Sequence, residues 1–511
     1  MTSERFNAEI LVLGRQPLGS VDGMLFGQFI ELAGNCINGG LYDPGNPHAR
    51  PDGVREDVLA AIRELRPTHV RYPGGCGVSY FDWQELVGPP EQRPRAKLFR
   101  ASAQTQSTAF GIPEAWTLCQ ELGAELYLTV NAHTQTPEDA ANLVEYLNGT
   151  TATKWADLRR AHGRSAPYGV KYFGLGNEIY GNWQAGQKTV ADYTAWCREA
   201  IPQMKRVDPT IQTIACGLGR PDPEWDRTVL FETIGLADMI SIHNYFGRPV
   251  FRDNMAASLV CEQMMNQINV NVDEAMDGCL KQKRRPGVAF DEWNVWYRST
   301  HSTHADLEEI FNFGDALTVA SILHVILRHC RTIRLSNISL AVNTLSAVMA
   351  DRDRCVRQTT WYPQRMLRDA HAGQLVRTEV DAPTFAAKHE RFFCGIVSPE
   401  KAKDETLPSL LHFDDVSALD VVCTHDAKRK RLSMSVVQKL EERPLTTRLT
   451  WRGLRPKGST VKLSRLSGSS LLASNTLDSP NNVGIATETL PATESFTFPP
   501  ASLTVLEFDV E

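Results

Sequence analysis

Between about residue 21 and residue 345 the chain alternates short apolar runs, several of them ending in polar residues, with longer amphipathic stretches. Eight runs have strand character: GMLFGQFIE (23–31), THVRYPGG (68–75), ELYLTVNAH (125–133), VKYFGLGNE (170–178), TIQTIACG (210–217), ADMISIHNYF (237–246), PGVAFDEWN (286–294) and one within TIRLSNISLAVN (332–343). The stretches between them include REDVLAAIRELR (55–66), PEAWTLCQELG (113–123), PEDAANLVEYLNG (137–149) and VADYTAWCREAIPQMKRV (190–207), all with helical patterns. PED opens its helix with proline in the first turn and acids near the positive end of the dipole. Eight strands alternating with helices predict an α/β chain built on a (β/α)8 TIM barrel. An open doubly wound sheet is the rival, but no GxGxxG or Walker A loop supports it.

Beyond about residue 375 helical periodicity fades and alternating runs take over: DVVCTHD, RLSMSVVQKL, TTRLTWRG, TVKLSRLSG, ESFTFPP and SLTVLEFDV. Turn residues separate them, as in an antiparallel β-sandwich. The N-terminal NAEILVLG alternates too and is expected to pair with that part. The predicted organisation is a strand in 1–20 joining the sandwich, a catalytic barrel over 21–375, and a jelly-roll-like sandwich over 376–511. SGSSLLASN and SPNNVG read as exposed loops.

Composition adds mainly exclusions. At 511 residues two domains are the natural expectation. A net charge of −6 gives no electrostatic reason to expect nucleic acid or an anionic membrane as partner. The first twenty residues lack the basic and apolar blocks of a secretory signal. No apolar stretch reaches the roughly 18 residues of a membrane span. Eleven cysteines without CxxC spacing fit reduced thiols in a cytoplasmic protein rather than a disulfide frame or a zinc site.

Candidate chemistry sits at the strand ends, where barrel enzymes place their sites. Those ends carry Glu31, Arg71, Asn177 with Glu178, His243 with Tyr245, and Asp291 with Glu292. In YFGLGNEIYGNW (172–183) an apolar run stops at a glycine and delivers an amide and a carboxylate side by side. A carboxylate is rarely buried unless paired, so Glu178 belongs at a strand mouth. Two facing carboxylates suit glycoside hydrolysis, one as proton donor and one as nucleophile. Each residue alone has a plainer reading. A strand-end glutamate can be an ion-pair partner, Arg71 can pair with Glu31, His243 can be structural, and Trp183, Trp293 and Trp296 can be core. Polar residues at several strand mouths beside aromatics favour a site.

GLGNEIYGNWQ and FDEWNVWYR resemble the signature segments of the retaining α-L-arabinofuranosidases of glycoside hydrolase family 51. So do FGQFIELAGNCINGGLYDPGNP, RYPGG followed by VGPPEQRP, and ISIHNYFG. The similarity runs from about residue 20 to the mid-360s. It implies Glu178 as acid/base and Glu292 as nucleophile. It also implies substrate contacts from Glu31, Asn177, Tyr245 and Gln358, with His243 supporting Tyr245; Arg71, Cys76 and Trp296 complete the expected substrate-binding set. To serve as acid, Glu178 is expected to hold its proton through apolar walls and the charge of Glu292. Two departures bear on substrate choice. Cys76 and Gly77 stand where many bacterial members have asparagine and a bulky residue, and Leu340 replaces a polar group.

The resemblance implies a retaining exo-glycosidase releasing terminal α-L-arabinofuranosyl residues, with no cofactor or metal, working as a homo-oligomer, often a hexamer. β-D-Galactofuranosides, xylosides and β-glucans remain open as substrates. So does a non-catalytic sugar-binding protein on a hydrolase barrel.

Overall fold

Strand β1 (Ala8–Ser20) pairs away from the strands that follow it. The next eight are β2 (Met24–Phe29), β3 (His69–Tyr72), β4 (Glu125–Val130), β5 (Tyr172–Leu175), β6 (Gln212–Cys216), β7 (Met239–Phe246), β8 (Gly287–Val295) and β9 (Ile333–Ile338). They close in chain order into a parallel barrel, one strand from each of the eight apolar runs. This computed structural model describes residues 7–510 apart from 22, 99–100, 220–222, 280–283, 298–306 and 393–408. Tyr127, Ile214, Met239, Ala289 and Leu335 fill the barrel's interior, so it is a packed core with a floor for the groups above.

Local signals explain the helices around it. Pro137–Asn148 starts where Thr136 accepts from the Asp139 N–H and Asp139 answers the Thr136 N–H, with proline in the first turn. Phe313–Arg328 has no exposed face: every residue from Phe313 to Leu327 is buried. Even its polar residues Asp315, Thr318, Ser321 and His324 are buried, so the helix is covered on all sides. This one is wedged between the barrel and the C-terminal sheet.

That sheet contains β10 (Gln374–Asp381), β11 (Leu419–Asp426), β12 (Arg431–Gln438), β13 (Leu445–Arg452), β14 (Thr460–Gly468), β15 (Val483–Pro491), β16 (Ser495–Phe498) and β17 (Ser502–Asp509). Its order is β15-β14-β17-β12-β11-β10-β1-β13-β16. Trp451 on β13 meets Phe508 on β17 edge-to-face at 5.1 Å, although four strands separate them in that order. The sheet therefore folds over on itself, and its two layers share one core, as in a sandwich. β1 lies between β10, antiparallel, and β13, parallel.

The segment SGSSLLASN (467–475) is a surface loop as expected, with Leu472 80% exposed, but it is tied to the barrel at its end. Phe313 and Gly314 donate their N–H groups to Ala473 and Leu471, and Asn475 is fully buried with its amide on Arg357 O and Val483 O. Backbone partners on the barrel, invisible in sequence, hold it down. SPNNVG is an exposed turn that leads into β15 at Val483. No helix among the described residues is long and apolar enough to cross a membrane.

Candidate active site

β5 ends at Leu175, and Gly176, with φ at +82°, turns the chain so that Asn177 and Glu178 enter the barrel mouth. Glu178 itself has φ +45°, a left-handed conformation that costs a residue with a Cβ about 1 kcal/mol. Its side chain remains about 13% exposed. Polar groups hold both its oxygens: Trp183 Nε1–H lies 2.8 Å from Oε2 and His243 Nδ1 lies 3.1 Å from Oε1. The expected apolar walls are not what its oxygens face.

Glu292 comes from β8, with β6 and β7 lying between it and β5 in the barrel. Tyr245 donates to its Oε1 at 2.7 Å and Arg71 to its Oε2 at 2.9 Å. Carboxylate oxygens of Glu178 and Glu292 and a ring nitrogen of His243 all lie within 4.8 Å of one another. Below them, Arg71 also donates to Asn177 Oδ1 at 2.6 Å and lies 3.7 Å from Asp291. Its guanidinium rests over the Phe29 ring, 4.6 Å from the centroid. Asp291 accepts from Tyr127 at 2.6 Å and from Ser241 at 2.5 Å, so the floor carboxylate is held from three sides.

Glu31 stands beside this group, accepting the Gly77 N–H at 2.7 Å. Burial and then the Glu292 charge push its carboxyl up to about 7, against the Gly77 N–H and Arg71. Burial alone would lower His243, but Glu292, Asp291 and Glu178 outweigh it and lift the imidazole to about 10. Burial would raise Asp291, yet Arg71, His243 and Ser241 hold it well below the usual carboxylate range. Burial, reinforced by the surrounding carboxylates, pushes the Cys76 thiol well above its ordinary value. That sulfur lies 3.0 Å from Gln184 Nε2 and 3.7 Å from both Glu178 Oε2 and Asn177 Nδ2.

Nearly all the candidates named from sequence gather here. Trp296 packs its ring edge-to-face on Tyr245 at 5.0 Å, as a wall behind the tyrosine. Gln358 stands apart in its bonding. It is fully buried, its amide protons go to Glu309 O and Ser346 O, and its oxygen takes the Phe311 N–H. Its polar groups clamp backbone, which a pattern of residue types cannot reveal. Leu340 is buried, with its N–H on Leu345 O. Ser241 and Tyr127 are site groups that the sequence pattern does not single out, and Trp183, whose plainer reading is core, is 36% exposed and gives its indole N–H to Glu178. Ser241 had a signal: with His243 and Tyr245 it occupies alternate positions of β7, so all three share one face.

Comparison with known proteins fits this geometry. Residues 61–258 match the Alpha-L-arabinofuranosidase 1 domain and residues 291–502 the Alpha-L-arabinofuranosidase C-terminal domain. The intracellular exo-alpha-(1->5)-L-arabinofuranosidase 1 of Bacillus subtilis is 32% identical over 468 residues, covering 87% of each chain. This chain belongs to the α-L-arabinofuranosidases of glycoside hydrolase family 51. Another arabinofuranosidase, alpha-L-arabinofuranosidase C of Emericella nidulans, is 35% identical over 394 residues, covering 74% of this chain and 78% of that one. Among solved structures, the thermostable family 51 arabinofuranosidase of Thermotoga petrophila superposes with a TM-score of 0.88 at 30% identity, covering 98% of this chain and 99% of that one. Within this arabinofuranosidase Gly77 leaves room for Glu31 and holds it in place. A Cβ at residue 77 would sit 3.3 Å from Glu31 Oε1, the same oxygen that accepts the Gly77 N–H.

Proposed function

We propose that this enzyme removes terminal non-reducing α-L-arabinofuranosyl residues from oligosaccharides by double displacement, with Glu178 as acid/base and Glu292 as nucleophile. The closeness of their oxygens, within 4.8 Å, carries the reading. Retaining glycosidases hold their carboxyl groups about 5–5.5 Å apart, whereas inverting ones leave roughly 6.5–9.5 Å for a water. Tyr245 and Arg71 fix both oxygens of Glu292, which suits an attacking group that must not rotate. Glu31, Asn177 and Cys76 border the space a sugar would fill, and Glu31 near its midpoint at neutral pH can donate to or accept from a hydroxyl.

The test is a panel of nitrophenyl furanosides and pyranosides assayed side by side, with product stereochemistry followed by NMR. The expected result is preference for α-L-arabinofuranoside and first appearance of the retained anomer. Inverted product, or turnover of xylosides or galactofuranosides in preference, overturns the assignment. A cytoplasmic, homo-oligomeric enzyme is part of the same proposal. Support comes from the Bacillus relative being named intracellular, and from Leu472 and Ile310, which are 80% and 47% exposed. Light scattering after gel filtration checks the assembly.

A further inference from the structure

Glu178 presents a difficulty for an acid catalyst: its surroundings suit the charged form. Oε2 accepts the Trp183 indole N–H, Oε1 faces His243 Nδ1, and the Cys76 sulfur lies 3.7 Å from Oε2. The geometry around His243 shows where a proton is kept instead. On its Nδ1 side stand two carboxylates, Glu178 Oε1 at 3.1 Å and Glu292 Oε2 at 3.6 Å. With both carboxylates charged they are acceptors, and Nδ1 then carries hydrogen. On the other side Nε2 lies 3.2 Å from Ser241 Oγ and 3.4 Å from Asp291 Oδ1. Ser241 gives its own proton to Asp291, leaving only a lone pair for Nε2. Nε2 must therefore carry hydrogen too, and the ring is an imidazolium. Its further charged and titratable neighbours are Arg71, which pairs with Asp291 and Glu292, Tyr127 on Asp291, Tyr245 on Glu292, and Glu31 beyond.

We propose that His243 stores the proton that Glu178 delivers to the leaving oxygen, releasing it from Nδ1 to Glu178 Oε1 as the nucleophile is consumed. This rests on the roles assigned to Glu178 and Glu292 above. In the first displacement the bond from the anomeric carbon to the leaving oxygen breaks and a bond to a Glu292 oxygen forms. Glu178 passes its proton to the leaving oxygen, and His243 supplies that proton from Nδ1. The three groups start at +1, −1 and −1 and end with neutral His243, charged Glu178 and an esterified Glu292, so the net charge stays at −1. In the second displacement water attacks the anomeric carbon, the ester bond breaks, and the water's proton returns through Glu178 to Nδ1. The coupling is electrostatic. While Glu292 is charged it helps hold the proton on His243, and once Glu292 is esterified that hold weakens.

The distinction from a purely structural histidine lies in the leaving group. A dinitrophenolate departs without a proton, whereas methanol or arabinose must receive one. His243→Gln keeps a hydrogen-bonding side chain but cannot carry the proton. Expected is a loss of about 100-fold or more in kcat/KM on methyl α-L-arabinofuranoside, with under about fivefold on the dinitrophenyl analogue. The basic limb of the pH profile on the methyl glycoside should also move at least about one pH unit to the acid side. Equal losses on both substrates, or an unmoved basic limb, overturn the proposal. Should the variant fail to fold, neutron diffraction on wild-type crystals at neutral pH decides. Deuterium on both His243 nitrogens with none on Glu178 is expected, and deuterium on Glu178 with a bare Nδ1 overturns it. Wild type turning over neither arabinofuranoside would sink the arabinofuranosidase reading instead, a separate outcome.

Discussion

Two buried histidine clusters in this molecule have the same ingredients and opposite outcomes. At the barrel mouth His243 lies among Glu178, Glu292 and Asp291 and is driven up to about 10. At the seam between barrel and sandwich His371 lies between two hydroxyls, Thr424 at 3.0 Å and Ser435 at 2.7 Å, and burial drives it down to about 3. Ser435 continues to His324 at 2.7 Å, and His324 to Asp420 at 3.2 Å. There Arg328 and Lys439 already neutralise Asp420, so burial wins and His324 is lowered as well. The seam matches its charges and closes; the mouth leaves carboxylates in excess of cations and keeps one side open. Uncompensated charge is costly when buried, and here it stands where chemistry needs it.

Removing one carboxylate from the mouth should abolish what distinguishes it. Glu292→Ala is expected to lower kcat on nitrophenyl α-L-arabinofuranoside by about 10⁴-fold or more, as loss of a catalytic nucleophile does. Circular dichroism should stay native, because Glu292 lies on a rigid barrel strand. Activity within tenfold of wild type would mean that the mouth is not the reacting centre.

The matching change at the seam acts on stability alone. Asp420→Ala leaves Arg328 with Glu262 alone, at 3.4 Å, and leaves the buried Lys439 and His324 without their carboxylate. Leaving buried charges uncompensated costs about 3–5 kcal/mol. A lowered Tm with kcat kept at 25 °C is the expected result, read by calorimetry and initial rates. A variant as stable as wild type would show that the seam's charges are not matched by this contact.

The two regions also differ in how much of each can be read from the chain. The eight barrel strands and the carboxylates found at strand ends are local features, since several of the apolar runs carry their own polar terminus, as in VKYFGLGNE. The seam is not local. His324 lies on Phe313–Arg328, where Asp315, Thr318, Ser321 and His324 recur every three residues like a solvent-facing stripe, yet all four are buried, so the pattern points away from their place. β15, mostly exposed, and β10, half exposed and largely polar, lack the strong alternation that reveals the other sandwich strands. Within the site, Asn177 and Glu178 were legible from one turn. Gln358 was not, because what decides its place is the backbone of Glu309, Phe311 and Ser346.

Proton linkage gives the comparison opposite signs. His371 falls from 6.5 to about 3 on folding, so below pH 6.5 the unfolded chain binds a proton that the folded one refuses. Its contribution weakens as pH falls, by on the order of 2 kcal/mol between pH 6.5 and 5. His243 rises from 6.5 to about 10, so the folded chain holds the extra proton. Its contribution is complete below pH 6.5 and is lost as pH rises toward 10, by about 2–3 kcal/mol between pH 7 and 9. Tm measured against pH should flatten on the acid side in His371→Asn and on the alkaline side in His243→Asn. The same limb flattening in both variants would mean that the two clusters are not opposed.

The smallest effect tests how finely the mouth is tuned. Cys76 offers only a weak donor and a weak acceptor, yet it lies within reach of Asn177, Glu178 and Gln184. An asparagine at that position would bring a full donor and acceptor to the sugar's side of the same triangle. One net hydrogen bond contributes about 0.5–1.5 kcal/mol, so Cys76→Asn should lower KM for an arabinofuranoside by roughly threefold to tenfold. Because the new contact forms before and during reaction alike, kcat should hardly move. A change confined to kcat would instead place residue 76 on Glu178 rather than on the sugar. Residue 76 would then act through proton delivery, and substrate preference would have to be set elsewhere in the pocket.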